Sequence, residues 1–456
     1  MTDQNPPAPP TFDPNASHQV QPRLRKIRTF PMPVKGPDGK QQVILGLADA
    51  QQISSKVVAT HPAVQQLLPL MDGSRSIDQI VGEVGRGLTI EALQSLVAQL
   101  DDAALIQGPG FEALETSMRA DFDASDTLPP ATTAQFADAL VMQKLGQEAT
   151  DEQKAEQGPG LIGEIFDQWM GKALENADNP TFDELPSAII APGNEYARSW
   201  INYAAVWGRL RVADRPDRVI VLGTNHFGSA TGVCGCDKSY ETPLGTCSLD
   251  TDFKARLDEK LGKENADKLY ADRFDHEREH SIELQIPWIQ HCLGQGEDGS
   301  FVSVYGALVH DPARNAGESY DGQGLGLEEF IDALRAAASE AGGKTLIVAS
   351  ADMSHVGPAF GDPQSLSGET PEAAEARNAV AKQDQELLKM LIDGKADDLV
   401  SSLSWQQNPT RWASTGALVA ASKASGAGRG EILNYAASMD QEGSAMLTNA
   451  AAALFA

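Results

Sequence analysis

Residues 219–226, VIVLGTNH, and 346–355, LIVASADMSH, carry the reading of the fold. Each opens as a nearly unbroken run of Val, Ile, Leu and Ala, and each closes on a small polar cluster ending in histidine. A strand with no polar face is covered on both sides, which is the habit of parallel sheets in α/β proteins. Ala188–Ala191 and Val302–Val309 read the same way. Between these runs lie amphipathic stretches such as SWINYAAVWGRL (199–210), DTDFKARLDEKLG (250–262) and LEEFIDALRAAASEAG (327–342). Strand alternating with helix predicts an α/β sheet with helices on both faces.

The loops beyond the carboxyl ends of such strands form the ligand crevice. Gly193, Asn194 and Tyr196 follow the first run, Asn225 and His226 the second, and Asp352 and His355 the last. Imidazoles and a carboxylate delivered to one edge by separate strands are suited to acid–base work, because histidine titrates near neutrality and a carboxylate can orient its ring. One pocket is expected to hold His226, His280, Asp352 and His355, with Asp352 paired to His355 or His226.

Outward from this region the chain changes character. At 456 residues it is too long for one ordinary core. Residues 1–29 begin Pro- and Asn-rich and are expected to be disordered, their Arg23, Arg25, Lys26 and Arg28 being surface charge. Residues 30–110 read as a small separate domain. A strand is predicted over Gln42–Leu47 after a turn at 36–39, and Asp72-Gly73 marks another turn. Ser76 and Thr89 are placed to cap two helices whose apolar residues recur at helical spacing (Ile77, Ile80, Val81, Val84; Leu93, Leu96, Val97, Leu100). With the strand at 104–106 this describes a winged-helix-like unit. Its second helix, TIEALQSLVAQLDD (89–102), has no Lys or Arg to meet phosphate.

From Asp101 to Ile190 there are 18 acidic residues against 4 basic, half of the formal net charge of −28. Residues 111–185 are therefore read as an acidic, partly helical connector. The overall charge argues against a nucleic-acid partner. No stretch approaches the length of a membrane span, and a cytoplasmic location is expected. Cys234, Cys236, Cys247 and Cys292 lack the density of a disulfide framework and read as buried thiols. His276-Glu277-Arg278-Glu279-His280 fits the H-E-x-x-H pattern of zinc proteases, but its charged flank does not suit their helix.

Five segments together resemble the MEMO family. They are LGTNHFG (222–228), YETPLG (240–245), EHSIELQIP (279–287), SADMSHVG (350–357) and LNYAASMD (433–440), in the family's order. The resemblance implies a fold shared with class III extradiol dioxygenases and an association with radical SAM proteins. It also places Glu283 in the cleft. It further implies a redox metal, iron or copper, bound by two His and one Cys. Aligned on the family, Gly193 stands at the first ligand, His226 at the second and Thr410 at the third, so no metal or other cofactor is expected. LLPLMDGSRSIDQIV (67–81) resembles PqqD-like domains, which implies capture of a peptide strand on a sheet edge. The combined expectation is a MEMO-like protein of degenerate metal site, over 186–456, that binds a peptide or protein partner. The alternative is an enzyme, dioxygenase- or oxidase-like, using His226, His280, Asp352 and His355 as acid–base groups or rebuilt metal ligands.

Overall fold

The computed structural model describes residues 10–35, 41–85, 87–363, 366–405, 412, 414–440 and 443–456. The chain forms two compact units, Met1–Ser125 and Asp126–Ala456.

The first unit contains an antiparallel sheet of β1 (Ile27–Lys35), β2 (Gln41–Asp49) and β3 (Val57–Thr60), in that order. Helix α1 (Ile77–Val84) starts where Ser76 and Gln79 form a reciprocal capping box. Helix α2 (Ile90–Asp102) starts where Thr89 accepts the Ala92 N–H. Helix α3 (Pro109–Ala124) completes the unit. Leu47, Ile80, Leu93, Val97, Leu100 and Ile106 are the buried centre of its core. Residue 106 makes only an isolated bridge, to Leu24, and the expected turn at 36–39 lies outside the described residues.

Two expectations for the first unit need correction. From residue 10 onward the tail is folded: His18 and Gln19 both reach the Asp101 carboxylate, at 2.9 and 2.6 Å. Arg25 is not surface charge. It is buried, pairs with Asp49 at 2.9 Å, donates to the Ala104 carbonyl, and lies over the Phe111 ring.

The second unit is built on an eight-stranded sheet. Its centre is four parallel strands in the order β4 (Ala188–Ala191), β7 (Thr345–Ser350), β5 (Arg218–Thr224) and β6 (Ser303–Val309). The long hairpin β8 (Arg429–Met439) and β9 (Met446–Phe455) extends it antiparallel from β4. All four residues of β4 and all seven of β5 are buried, their apolar runs 188–191 and 219–222 lying at the centre of the sheet. Around the sheet lie α6 (Tyr196–Leu210), α7 (Thr251–Tyr270), α8 (Ile286–Leu293), α9 (Leu327–Ala341), α10 (Pro371–Ile392) and α11 (Thr415–Ser425). No helix among the described residues is long and apolar enough to cross a membrane. All four cysteines are free and buried.

The stretch expected as a connector divides between the units. Its first part is α3. Its second part forms α4 (Thr132–Leu145) and α5 (Asp151–Leu174), which pack on the second unit. Phe166 of α5 stacks on Trp288 with centroids 3.7 Å apart, and Phe136 meets Tyr196 edge-on at 4.9 Å. The Glu283 carboxylate receives the first backbone N–H groups of α4, from Ala131, Thr132 and Thr133, at 2.8–3.1 Å. An acid in that position satisfies orphan donors and complements the helix dipole. The acidic side chains of these helices point outward while Phe166 and Phe136 pack inward, and the stretch is helical, as expected.

Candidate functional site

The three strands that deliver the candidate residues, β4, β7 and β5, are neighbours in the sheet. Gly193 and Asn194, Asp352 and His355, and Asn225 and His226 therefore leave the same edge.

Segment 279–285, EHSIELQ, is stitched across that edge. The Ser281 hydroxyl accepts the Thr224 N–H at 3.1 Å and donates to the Thr224 carbonyl at 3.2 Å, closing on the end of β5. Gln285 donates to the Pro192 carbonyl at 2.7 Å and to the Ser350 hydroxyl at 2.8 Å, tying the ends of β4 and β7. These bonds put His280 against His226, their rings stacked 5.0 Å apart at an angle of 26°.

Glu279 organises this side. It is buried, and its carboxylate accepts three N–H groups: from His226 the backbone N–H at 2.8 Å on one oxygen and Nδ1 at 3.0 Å on the other, and the Ser281 N–H at 2.9 Å. His280 Nδ1 lies 3.4 Å away. Burial alone would raise the Glu279 carboxyl, but the charge and hydrogen bond of His226, the charge of His280 and the His226 N–H hold it at about 2. For His226, desolvation works against protonation and is overcome by the charge and hydrogen bond of Glu279, with Asp352 adding; the net shift is upward. Burial depresses His280, which the charge of His226 reinforces against Glu279.

Asp352 occupies the other side. It accepts the Gly193 N–H at 3.2 Å, and burial pushes its carboxyl up to about 6 despite the charge of His226. Asn194 favours its charged form, yet the Asn194 amide nitrogen completes no hydrogen bond in the described protein. The Thr224 hydroxyl is likewise buried without a partner. His355 is lowered to about 4, chiefly by burial, and its Nδ1 lies 3.3 Å from the Met353 carbonyl.

The expected pairing of Asp352 with a histidine is corrected: the partner of His226 is Glu279, and Asp352 acts on it through charge alone. Glu279 lies within both the H-E-x-x-H pattern and the EHSIELQIP segment, and its place beside His280 is the signal in the sequence that marks it as a site residue. Two expected cleft residues face elsewhere. The Tyr196 hydroxyl donates to the Leu284 carbonyl at 2.6 Å inside the aromatic cluster, and Glu283 caps α4. Asn225 holds its loop by donating to Asp275 at 2.8 Å. Thr410 lies outside the described residues. The H-E-x-x-H segment is not one helix. His276 sits on a 3₁₀ turn, its Nε2 3.0 Å from the Cys234 carbonyl and its Nδ1 3.3 Å from the Tyr240 hydroxyl, away from His280.

His226, Glu279 and His280 place one donor atom each within 4.8 Å of one another, so this trio is where a cation could be held. Both Glu279 oxygens are already engaged by N–H donors, which leaves the two imidazoles as its open donors. Position 193 supplies none. A Cβ built there would meet the Ser350 carbonyl oxygen at 3.2 Å and the Ala351 nitrogen at 3.3 Å, both fixed backbone. The residues present thus do not fit a set of two His and one Cys.

Residues 164–454 match the sequence pattern of the Memo-like protein family. A MEMO1 family protein of Methanopyrus kandleri is 29% identical over 277 residues, 60% of this chain and 83% of that protein. One of Pyrococcus furiosus is 26% identical over 258 residues, 56% of this chain and 80% of that protein. One of Nitrosopumilus maritimus is 26% identical over 231 residues, 50% and 69% of the respective chains. With its sheet, its edge motifs and a match spanning more than half its length, the chain belongs to the Memo-like family.

Proposed function

We propose that this family member binds a small polar ligand or chain segment at the carboxyl edge of its sheet and handles protons there, without the redox metal of the family. The observation that carries the reading is the His226–Glu279 pair. A buried carboxylate fixes Nδ1 of the ring and leaves Nε2 as the working atom, the arrangement by which enzymes set the tautomer and charge of a general acid or base. Asp352, at about 6, supplies a second proton-exchanging group from the neighbouring strand. His280 and His355, both lowered, act as neutral hydrogen-bonding groups beside them. The unpartnered Asn194 amide and Thr224 hydroxyl are polar contacts for the bound molecule. Metal analysis after anaerobic purification tests the first half of the reading: below about one-tenth of an equivalent of iron or copper is expected, since two imidazoles hold such ions poorly. Stoichiometric metal that disappears in His226→Ala would overturn it.

A second reading concerns the first unit, as a PqqD-like module that captures a peptide, alone or for a radical SAM protein. The favouring observation is its open sheet. Edge strand β1 contains Pro31 and Pro33, which lack an N–H to donate, whereas edge strand β3 has none. A peptide would pair with β3. Replacing Ala59 by Pro should then abolish capture of a precursor-type peptide, and unchanged capture would exclude that edge.

A further inference from the structure

Along α6, beyond the cleft, a cavity of about 490 Å³ opens between the end of α5, α6 and β8. Its lining runs along the helix from Ile201 through Ala205 to Arg209. Arg209 lines the cavity and is only 7% exposed. Its Nε donates to the Asn179 carbonyl at 2.7 Å and its Nη1 to the Ala205 carbonyl at 2.5 Å. Among the described residues no carboxylate forms an ion pair with it. A buried guanidinium that meets only neutral carbonyls is costly to hold and is ready for an anion. Lys172 lines the same space, as do Asp178 and Glu431, and Glu431 is the acid whose charge Arg209 senses. A bare anion would meet repulsion from those two carboxylates. A molecule carrying both an anionic and a cationic end would satisfy both sets.

A polar chain runs from this cavity to the cleft. Asn434, which lines the cavity, donates to Asn202 at 2.6 Å. Asn202 donates to Asn449 at 2.6 Å, Asn449 to the Ser199 hydroxyl at 2.8 Å, and Ser199 to the Asn194 side chain. Asn202, Ser199 and Asn449 are fully buried. Every donor lies on the cavity side and every acceptor on the cleft side, so the chain is polarised in one sense and each bond strengthens the next. It ends beside Asp352.

We infer that the cavity is a second ligand site, for a small zwitterion of amino-acid type, and that the asparagine chain passes its occupancy to the cleft. Arg209 and Lys172 receive the carboxylate, and Glu431 and Asp178 the ammonium group. The ligand's effect on Asn434 turns the amide dipoles behind it in sequence. The cavity stands independently of the proposed acid–base cleft, whereas the coupling rests on that reading.

The test is saturation-transfer NMR on the full chain with a mixture of the common L-amino acids at millimolar concentration. At least one should bind, and Arg209→Met should weaken it about tenfold or more, the loss expected for a charge-assisted bond. Ala177→Trp, which fills the cavity from a partly exposed lining position, should act likewise and guards against misfolding of the arginine variant. Binding should move the His226 and His280 ring resonances in the wild type. It should leave them unmoved in Asn202→Ala, whose side chain is not part of the lining, with binding retained. Absence of amino-acid binding, or binding of inorganic phosphate instead, would overturn the site. Binding with no change at either ring in the wild type would overturn the coupling. Failure of the cleft itself shows separately, as ring resonances of His226 that do not respond to Glu279→Gln.

Discussion

The carboxyl edge of the sheet has two sides of opposite character. Around β5, polar groups are matched: Glu279 takes donors on both oxygens, Ser281 is bonded twice to Thr224, and the two imidazoles stack. Around β4 and β7 they are undersupplied: Asp352 has one backbone donor and the Asn194 amide has none, while on the β5 side the Thr224 hydroxyl is the exception, buried without a partner. Both sides bury a carboxyl group, yet one is held at about 2 and the other raised to about 6. Burial is common to them. The difference lies in how many donors and cations reach the carboxylate, which decides whether a buried acid becomes a strut or a proton carrier.

The largest test of this contrast is Glu279→Ala. It removes the acceptor for two backbone N–H groups and for His226 Nδ1, and should lower the unfolding free energy by about 3–5 kcal/mol, the cost of removing one partner of a buried pair. A loss under about 1 kcal/mol in chemical denaturation would show that the matched side is not an anchor.

The two acids should next separate by the sign of their pH dependence. Glu279 lies below the usual carboxylate range, so its stabilisation is complete above about pH 4.5 and is lost as pH falls through 2. Asp352 lies above that range, so the folded state is favoured while it is protonated. Its contribution is complete below about pH 4 and is lost as pH rises through 6. An upward shift of roughly two units corresponds to about 3 kcal/mol at most. Denaturation of Asp352→Asn between pH 4 and 7 should lack that decline, and a decline that persists in the variant would assign it elsewhere.

The smallest effect is expected at Thr224→Val. A buried hydroxyl without a partner contributes nothing that a methyl group of the same shape does not, so the change should be neutral or stabilising within about 1 kcal/mol. A larger loss would mean that the hydroxyl is bonded and that the β5 side is matched without exception.

Much of this architecture is written in the local sequence. Continuous β-branched runs identify buried parallel strands, and polar letters immediately after them can only emerge at the carboxyl edge, so His226, Asp352 and His355 were legible. Which group pairs with which was not. Glu279 reaches His226 from 53 positions away, through a segment whose path depends on Ser281 and Gln285 finding three strand ends. Tyr196 and Glu283 were misplaced for a related reason. Their partners come from α4 and α5, and in those helices the acidic outer face hides the aromatic inner one from any reading based on charge.

The tight seat of Gly193 couples that position to the exit of β7. Because the obstacle to a side chain there is the main chain at Ser350 and Ala351, a histidine at 193 would have to push back the exit of β7. That same exit carries Asp352 and His355. A side chain placed at 193 and the present setting of Asp352 and His355 therefore draw on the same stretch of main chain, and a change at one is carried to the other.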